Sequence, residues 1–224
     1  MELLTGIFFL SLFIATFIIL AVTRVEVGRL VRQHHEQKVD FFRTQPIQPG
    51  DTVMVGDSLT DGCRWDEVFP GVPIRNRGIN ADTVAGVLAR LDVVISGKPE
   101  RVFLLIGTND LPVYEYRQDS DILSDYSLLL SRLRQGTPAT RVYVQSLLPR
   151  QRRFARRITR LNAALRRLAA EHGCEFIDLH PAFSDARGAL RRELTNDNLH
   201  LLGEGYRVWA RILAGTMPPP APRR

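Results

Sequence analysis

Two cysteines, Cys63 and Cys174, are all that the 224 residues contain. So few exclude a disulfide scaffold, and no Cys/His cluster has the spacing of a metal site. The first apolar strand leads into no Gly-x-Gly-x-x-Gly, and Gly-x-x-x-x-Gly-Lys-Ser/Thr occurs nowhere. Neither a dinucleotide fold nor a phosphate-binding loop is therefore indicated. The Gly-x-Ser-x-Gly elbow of the usual α/β-hydrolase arrangement is missing too. Low complexity is nearly absent, so the 45% apolar fraction reads as globular, with one domain once the ends are trimmed. Acidic residues are outnumbered, 24 Asp and Glu against 30 Lys and Arg, which leaves a formal charge of +6 carried mostly by arginine. That favours anionic surfaces without identifying one. Aromatic stacking platforms and a recognisable binding module are lacking, so nucleic acid is not an expected partner.

Charge is also missing from residues 3–23, which are dominated by Leu, Ile, Phe and Ala. At about 1.5 Å per residue such a stretch spans a hydrocarbon core of roughly 30 Å. The expectation is an uncleaved transmembrane anchor over residues 1–23. A cleaved signal peptide, leaving a secreted or periplasmic domain, is the competing reading. It would want a basic start and a small-residue cleavage site, where the chain has Glu2 and Ala21-Val22-Thr23. Arg24, Arg29 and Arg32 come after the span, so the positive-inside rule puts the body of the protein on the cytoplasmic side. Residues 24–50 read as a juxtamembrane stalk and spacer, closed by Pro46 and Pro49-Gly50.

Beyond residue 50 the apolar pattern alternates between strand and helix periods. Thr52–Val55, Val72–Ile74, Arg101–Ile106, Arg141–Gln145 and Glu175–Ile177 read as strands. Helices are expected over Ala81–Leu91, about 121–134, Arg153–His172 and about 205–213. The alternation predicts an α/β sandwich around a mostly parallel sheet over residues 51–214, with a proline-rich tail at 215–224. Ligands in such sheets lie beyond the carboxyl ends of the strands. Ser58, Gly78 and Asn109 follow or end three of the strand regions, so they are expected to converge.

A serine two residues after the Gly56 that stops an apolar run is equally an N-cap. It becomes a nucleophile only if the chain supplies a base. Asp197 and His200 lie three apart near the C-terminus. On a turn, the carboxylate can hold Nδ1–H while Nε2 faces a hydroxyl.

With these residues in place, the chain resembles the SGNH/GDSL hydrolase family. Gly56-Asp57-Ser58-Leu59 matches its first block, Asn76-Arg77-Gly78 its second, Gly107-Thr108-Asn109-Asp110 its third and Asp197-x-x-His200 its last. The resemblance implies a three-layer α/β/α, flavodoxin-like domain with a five-stranded parallel sheet. It implies Ser58 as nucleophile, His200 as base and Asp197 as its orienting carboxylate. The implied oxyanion hole is the N–H of Ser58, the N–H of Gly78 and the Asn109 side-chain amide. No metal or organic cofactor is implied. Asn198 departs from the glycine of many members.

The expected function is a membrane-anchored serine hydrolase of carboxylic esters, with the bilayer as partner and lipid-related acyl or acetyl esters favoured. Carbohydrate O-acetyl esters are the rival substrate. A non-catalytic binding or scaffold protein that retains the fold is the rival of another class. Gly62, Cys63, Arg64 and Trp65 are candidates for one wall of the site, as are Leu111-Pro112-Val113-Tyr114 and Leu147-Leu148-Pro149. On the long helix, Phe154, Ile158, Leu161, Leu165 and Leu168 should face the sheet, with Arg150 and its neighbouring arginines on the solvated side.

Overall fold

The computed structural model describes residues 2–111 and 117–220. The chain divides into two compact units, which meet in sequence between Asp40 and Phe41. Helix α1 (Glu2–Thr44) makes up the first unit and contributes its last turn to the second. At 43 residues it is about 65 Å long, roughly twice a hydrocarbon core. From Phe9 onward it is long and apolar enough to cross a membrane. Between Phe9 and Val31 its large apolar side chains, among them Phe13, Phe17 and Ile19, are exposed on all sides.

The second unit carries five parallel strands in the order β2-β1-β3-β4-β5. They are β1 (Thr52–Gly56), β2 (Ile74–Gly78), β3 (Arg101–Leu105), β4 (Arg141–Gln145) and β5 (Glu175–Ile177). Every residue of β1 and of β3 is buried, as expected for strands covered on both faces. One face packs Met54, Phe103 and Tyr143 under the short helices α2 (Ser58–Asp61), α3 (Trp65–Val68) and α8 (His180–Phe183) and the longer α9 (Gly203–Leu213). Phe103 stacks on Tyr143 at 4.6 Å, and Trp65 meets Trp209 edge-on at 5.0 Å. The opposite layer holds α4 (Val84–Ala89), α5 (Asp92–Ile95), α6 (Asp119–Gly136) and α7 (Ala155–Glu171). Leu129, Leu130 and Leu133 of α6 and Ile158, Leu161 and Leu165 of α7 fill the space beneath them. This is a three-layer α/β/α sandwich.

The register fixes where chemistry can gather. Gly56 stands opposite Gly78 on one side and Leu105 on the other. The segments leaving β1, β2 and β3 therefore start from one edge of the sheet.

Three sequence expectations shift. The second strand is Ile74–Gly78, later than the expected Val72–Ile74, and it takes in part of the expected loop. Its three consecutive polar residues, Arg75-Asn76-Arg77, concealed it. As an edge strand it tolerates them, because Arg75 pairs with Asp51 at 2.8 Å and the Asn76 amide bonds the carbonyls of Thr60 and Asp61. The helix expected over Ala81–Leu91 starts only at Val84, where Thr83 caps it by accepting from the Gly86 N–H at 3.1 Å. The expected spacer 24–50 is helical to Thr44, and Phe42 and Ile47 are buried within the second unit. Of the proline-rich tail, residues 221–224 lie outside the described residues.

Candidate active site

β1 ends at Gly56, and Asp57 caps α2 by accepting a hydrogen bond from the Leu59 N–H at 3.0 Å. Ser58 is thus the first residue of a one-turn helix, half-buried at the sheet edge. Its N–H is one of the orphan donors of a helix start, and no hydrogen bond among the described residues uses it.

The loop before α9 supplies the partner. Thr195 Oγ1 accepts from the Asp197 and Asn198 N–H groups at 3.3 and 3.0 Å. Asp197 Oδ1 then accepts from the N–H groups of Leu199 and His200, both at 2.8 Å. These bonds fold the segment into a tight turn. Asn198 adopts φ +63°, the left-handed region that glycine and asparagine tolerate best. Asparagine is thus a substitute for glycine there with a physical reason.

The turn places Asp197 Oδ2 2.6 Å from His200 Nδ1, and His200 Nε2 3.0 Å from Ser58 Oγ. A carboxylate at Nδ1 fixes the proton on that nitrogen, which leaves Nε2 to accept from the serine hydroxyl. Burial raises the Asp197 carboxyl, but the hydrogen bonds from the His200 ring and from the His200 and Leu199 N–H groups outweigh it and hold the group down at about 2. Asp197 is therefore ionised throughout the neutral range.

Asp57 behaves in the opposite way. It is fully buried, and Oδ2 has no hydrogen-bond partner among the described residues. Burial first, offset in part by the Leu59 N–H and reinforced by Asp82 and Asp110, pushes its carboxyl up from 3.8 to about 7. The folded protein thus keeps a proton that the unfolded chain releases between those two values. Stability must fall as pH rises through that window. Asp57→Asn keeps an acceptor for Leu59 but cannot ionise, so its melting temperature should be flatter than wild type between pH 4 and 7. A variant as pH-dependent as wild type would contradict this.

Asn109 follows Gly107, which takes φ +121° at the exit of β3. Its Nδ2 donates to the Asp82 carbonyl at 2.9 Å, which ties it to the turn after β2. Gly78 departs from its expected role. Its N–H is donated to Asn76 Oδ1 at 2.9 Å, so it is not presented to a ligand. A Cβ there would lie 2.3 Å from the Asp61 nitrogen, so glycine is needed for α2 to pack on the strand end. The sequence reading missed Ala81. It is exposed, holds φ +62°, and its N–H is used by no hydrogen bond among the described residues. A non-glycine residue in that region costs about 1–2 kcal/mol, a strain that clusters at functional sites. Nothing in the letters Asn80-Ala81-Asp82 announces it.

Two arginines are buried, one unread in the sequence and one misplaced by it. Arg90 is 2% exposed and pairs with Asp82 at 2.8 Å. Arg150, expected on the solvated side of the long helix, is buried, stacks on Phe154 and donates to the Thr108 carbonyl at 2.9 Å. Of the expected wall, Gly62, Cys63 and Arg64 line a groove of about 750 Å³ against Gly203, Tyr206 and Ala210 of α9. Trp65 does not; it is core. Burial pushes the Cys63 thiol up to about 12, which keeps it protonated. Leu111, Leu147 and Leu148 are buried in packing, and Pro112–Tyr114 lie outside the described residues.

Comparison with known proteins gives a consistent picture. The family model described as GDSL-like lipase/acylhydrolase matches residues 54–208, more than half of the chain. A solved structure of a candidate platelet activating factor from Streptococcus pneumonia is similar, with TM-score 0.79 and 24% identity, over 88% of this chain and 98% of that one. A lipase/acylhydrolase from Enterococcus faecalis is similar with TM-score 0.63 and 22% identity, over 78% and 100%. At these identities the likeness is one of fold. The curated N-acylneuraminate cytidylyltransferase of Escherichia coli is 26% identical over 194 residues. The match takes in 79% of this chain and spans only 45% of that relative's length.

Proposed function

The chain belongs to the GDSL-like lipase/acylhydrolase family, and from that premise we propose that it is a membrane-tethered serine hydrolase of carboxylic esters. The observation that carries this is the line of hydrogen bonds from Ser58 Oγ through His200 to Asp197, at 3.0 and 2.6 Å. His200 takes the hydroxyl proton through Nε2 as Oγ attacks the ester carbonyl carbon. Asp197 stabilises the imidazolium that forms and keeps its ring in place. The carbonyl π electrons move to oxygen, and the developing negative charge is met by the Ser58 N–H and the Asn109 amide. Ala81, with its unused N–H in the turn tied to Asn109, is the third donor of this reading. Each such donor is worth about 3–4 kcal/mol in the transition state. His200 then protonates the leaving alcohol, and water activated by the same imidazole releases the acid from Ser58.

The apolar helix α1 supports tethering, because its exposed Phe, Leu and Ile side chains favour hydrocarbon over water. A tethered esterase meets bilayer esters at high effective concentration, which favours lipid-related acyl or acetyl esters as substrates. An ester panel tests this. The full chain in detergent micelles should show higher kcat/KM on lipid acyl or acetyl esters than on acetylated sugars. The reverse order would overturn the lipid preference and leave the hydrolase reading standing.

A further inference from the structure

We infer that Phe42, in the last turn of α1, is a positioning residue for the oxyanion side of the site, an inference that rests on the hydrolase reading above. Phe42 is only 3% exposed and lies within the second unit. The guanidinium carbons of Arg77 and Arg90 stand 4.7 and 5.8 Å from its ring centroid. Both arginines are almost wholly buried, and their like charges repel. An aromatic face against two desolvated cations offsets that repulsion through its quadrupole, which an aliphatic side chain lacks.

From the ring, the chain of contacts runs directly to the site. Arg90 Nε donates to Asp82 Oδ2 at 2.8 Å. Its Nη2 donates to the carbonyls of Arg77 at 2.9 Å and Gly56 at 3.2 Å. Gly56 immediately precedes Asp57-Ser58, and the Asp82 carbonyl accepts from Asn109 Nδ2 at 2.9 Å. One guanidinium therefore holds the exits of β1 and β2 and the residue that orients the Asn109 amide. The Arg77 guanidinium also donates to the Gln45 carbonyl, one residue beyond α1. The end of α1 is thus part of the catalytic unit, and a soluble fragment starting at residue 46 would lack both of these contacts.

The test uses the full chain in detergent micelles with p-nitrophenyl acetate, well below the melting temperature of each variant. Phe42→Leu keeps an apolar side chain and loses the ring face. It should lower kcat about tenfold with KM within twofold, since small misplacements of reacting groups cost this much or more. Phe42→Tyr restores the ring face and should recover kcat to within twofold. Phe42→Leu with wild-type kcat would reduce Phe42 to packing and overturn the inference; so would Phe42→Tyr as slow as Phe42→Leu. Ser58→Ala run in parallel separates the two readings. Wild-type activity in Ser58→Ala would sink the hydrolase reading whatever the Phe42 variants do. An inactive Ser58→Ala beside an unimpaired Phe42→Leu would sink the positioning role alone.

Discussion

Ser58→Ala should lower kcat for ester hydrolysis by about a million-fold, with KM little changed and the fold intact. The effect is this large because the hydroxyl has no substitute. Cys63, in the same stretch of chain, is a buried thiol that burial keeps protonated, so it cannot take over the attack. His200→Ala should cost about as much, and the double variant no more than either single one, since nucleophile and base act as a unit. Steady-state kinetics on the three variants checks this. Costs that multiply in the double variant would mean that the two residues act independently.

Asp197→Asn should lower kcat by about 10⁴-fold while leaving the loop folded. The reason lies in the turn. Asp197 Oδ1 already accepts from two backbone N–H groups, those of Leu199 and His200. An asparagine must therefore turn its oxygen toward them and its NH₂ toward His200 Nδ1. That nitrogen then has to accept, the ring proton moves to Nε2, and Nε2 can no longer take the proton of Ser58. Because Asp197 is held down at about 2, acid loss of wild-type activity above pH 4 will not come from this carboxylate. Kinetics and a proton spectrum of the imidazole would check both parts. An Asp197→Asn variant with near wild-type kcat would show that the carboxylate does not set the tautomer.

How much of this was legible in the letters depends on the kind of interaction. β1, β3 and β4 announced themselves as apolar runs because central parallel strands are buried on both faces. β2 did not, because Arg77 and Asn76 are held in it by partners far away in sequence, Gln45, Thr60 and Asp61. Ser58, Asp197 and His200 were legible because one follows a strand and two share a turn, and the structure brings Ser58 to His200 and His200 to Asp197. Gly78 was legible as a special glycine but not for its reason, which is the approach of α2 to the strand end. Ala81 and Asn198 take left-handed conformations that no periodicity reveals. Arg150 read as surface charge and Arg90 was not singled out; only the carbonyls they meet, those of Thr108 for Arg150 and of Gly56 and Arg77 for Arg90, explain their burial.

The most direct test of the central claim is covalent. A fluorophosphonate reacts with a serine only when a base has activated its hydroxyl and donors receive the phosphoryl oxygen. Intact-mass measurement and peptide mapping of the full chain after such treatment should find one adduct, on Ser58. The adduct should be absent from Ser58→Ala and strongly slowed in His200→Ala. Equal labelling of wild type and Ser58→Ala, or no labelling of wild type, would contradict the account.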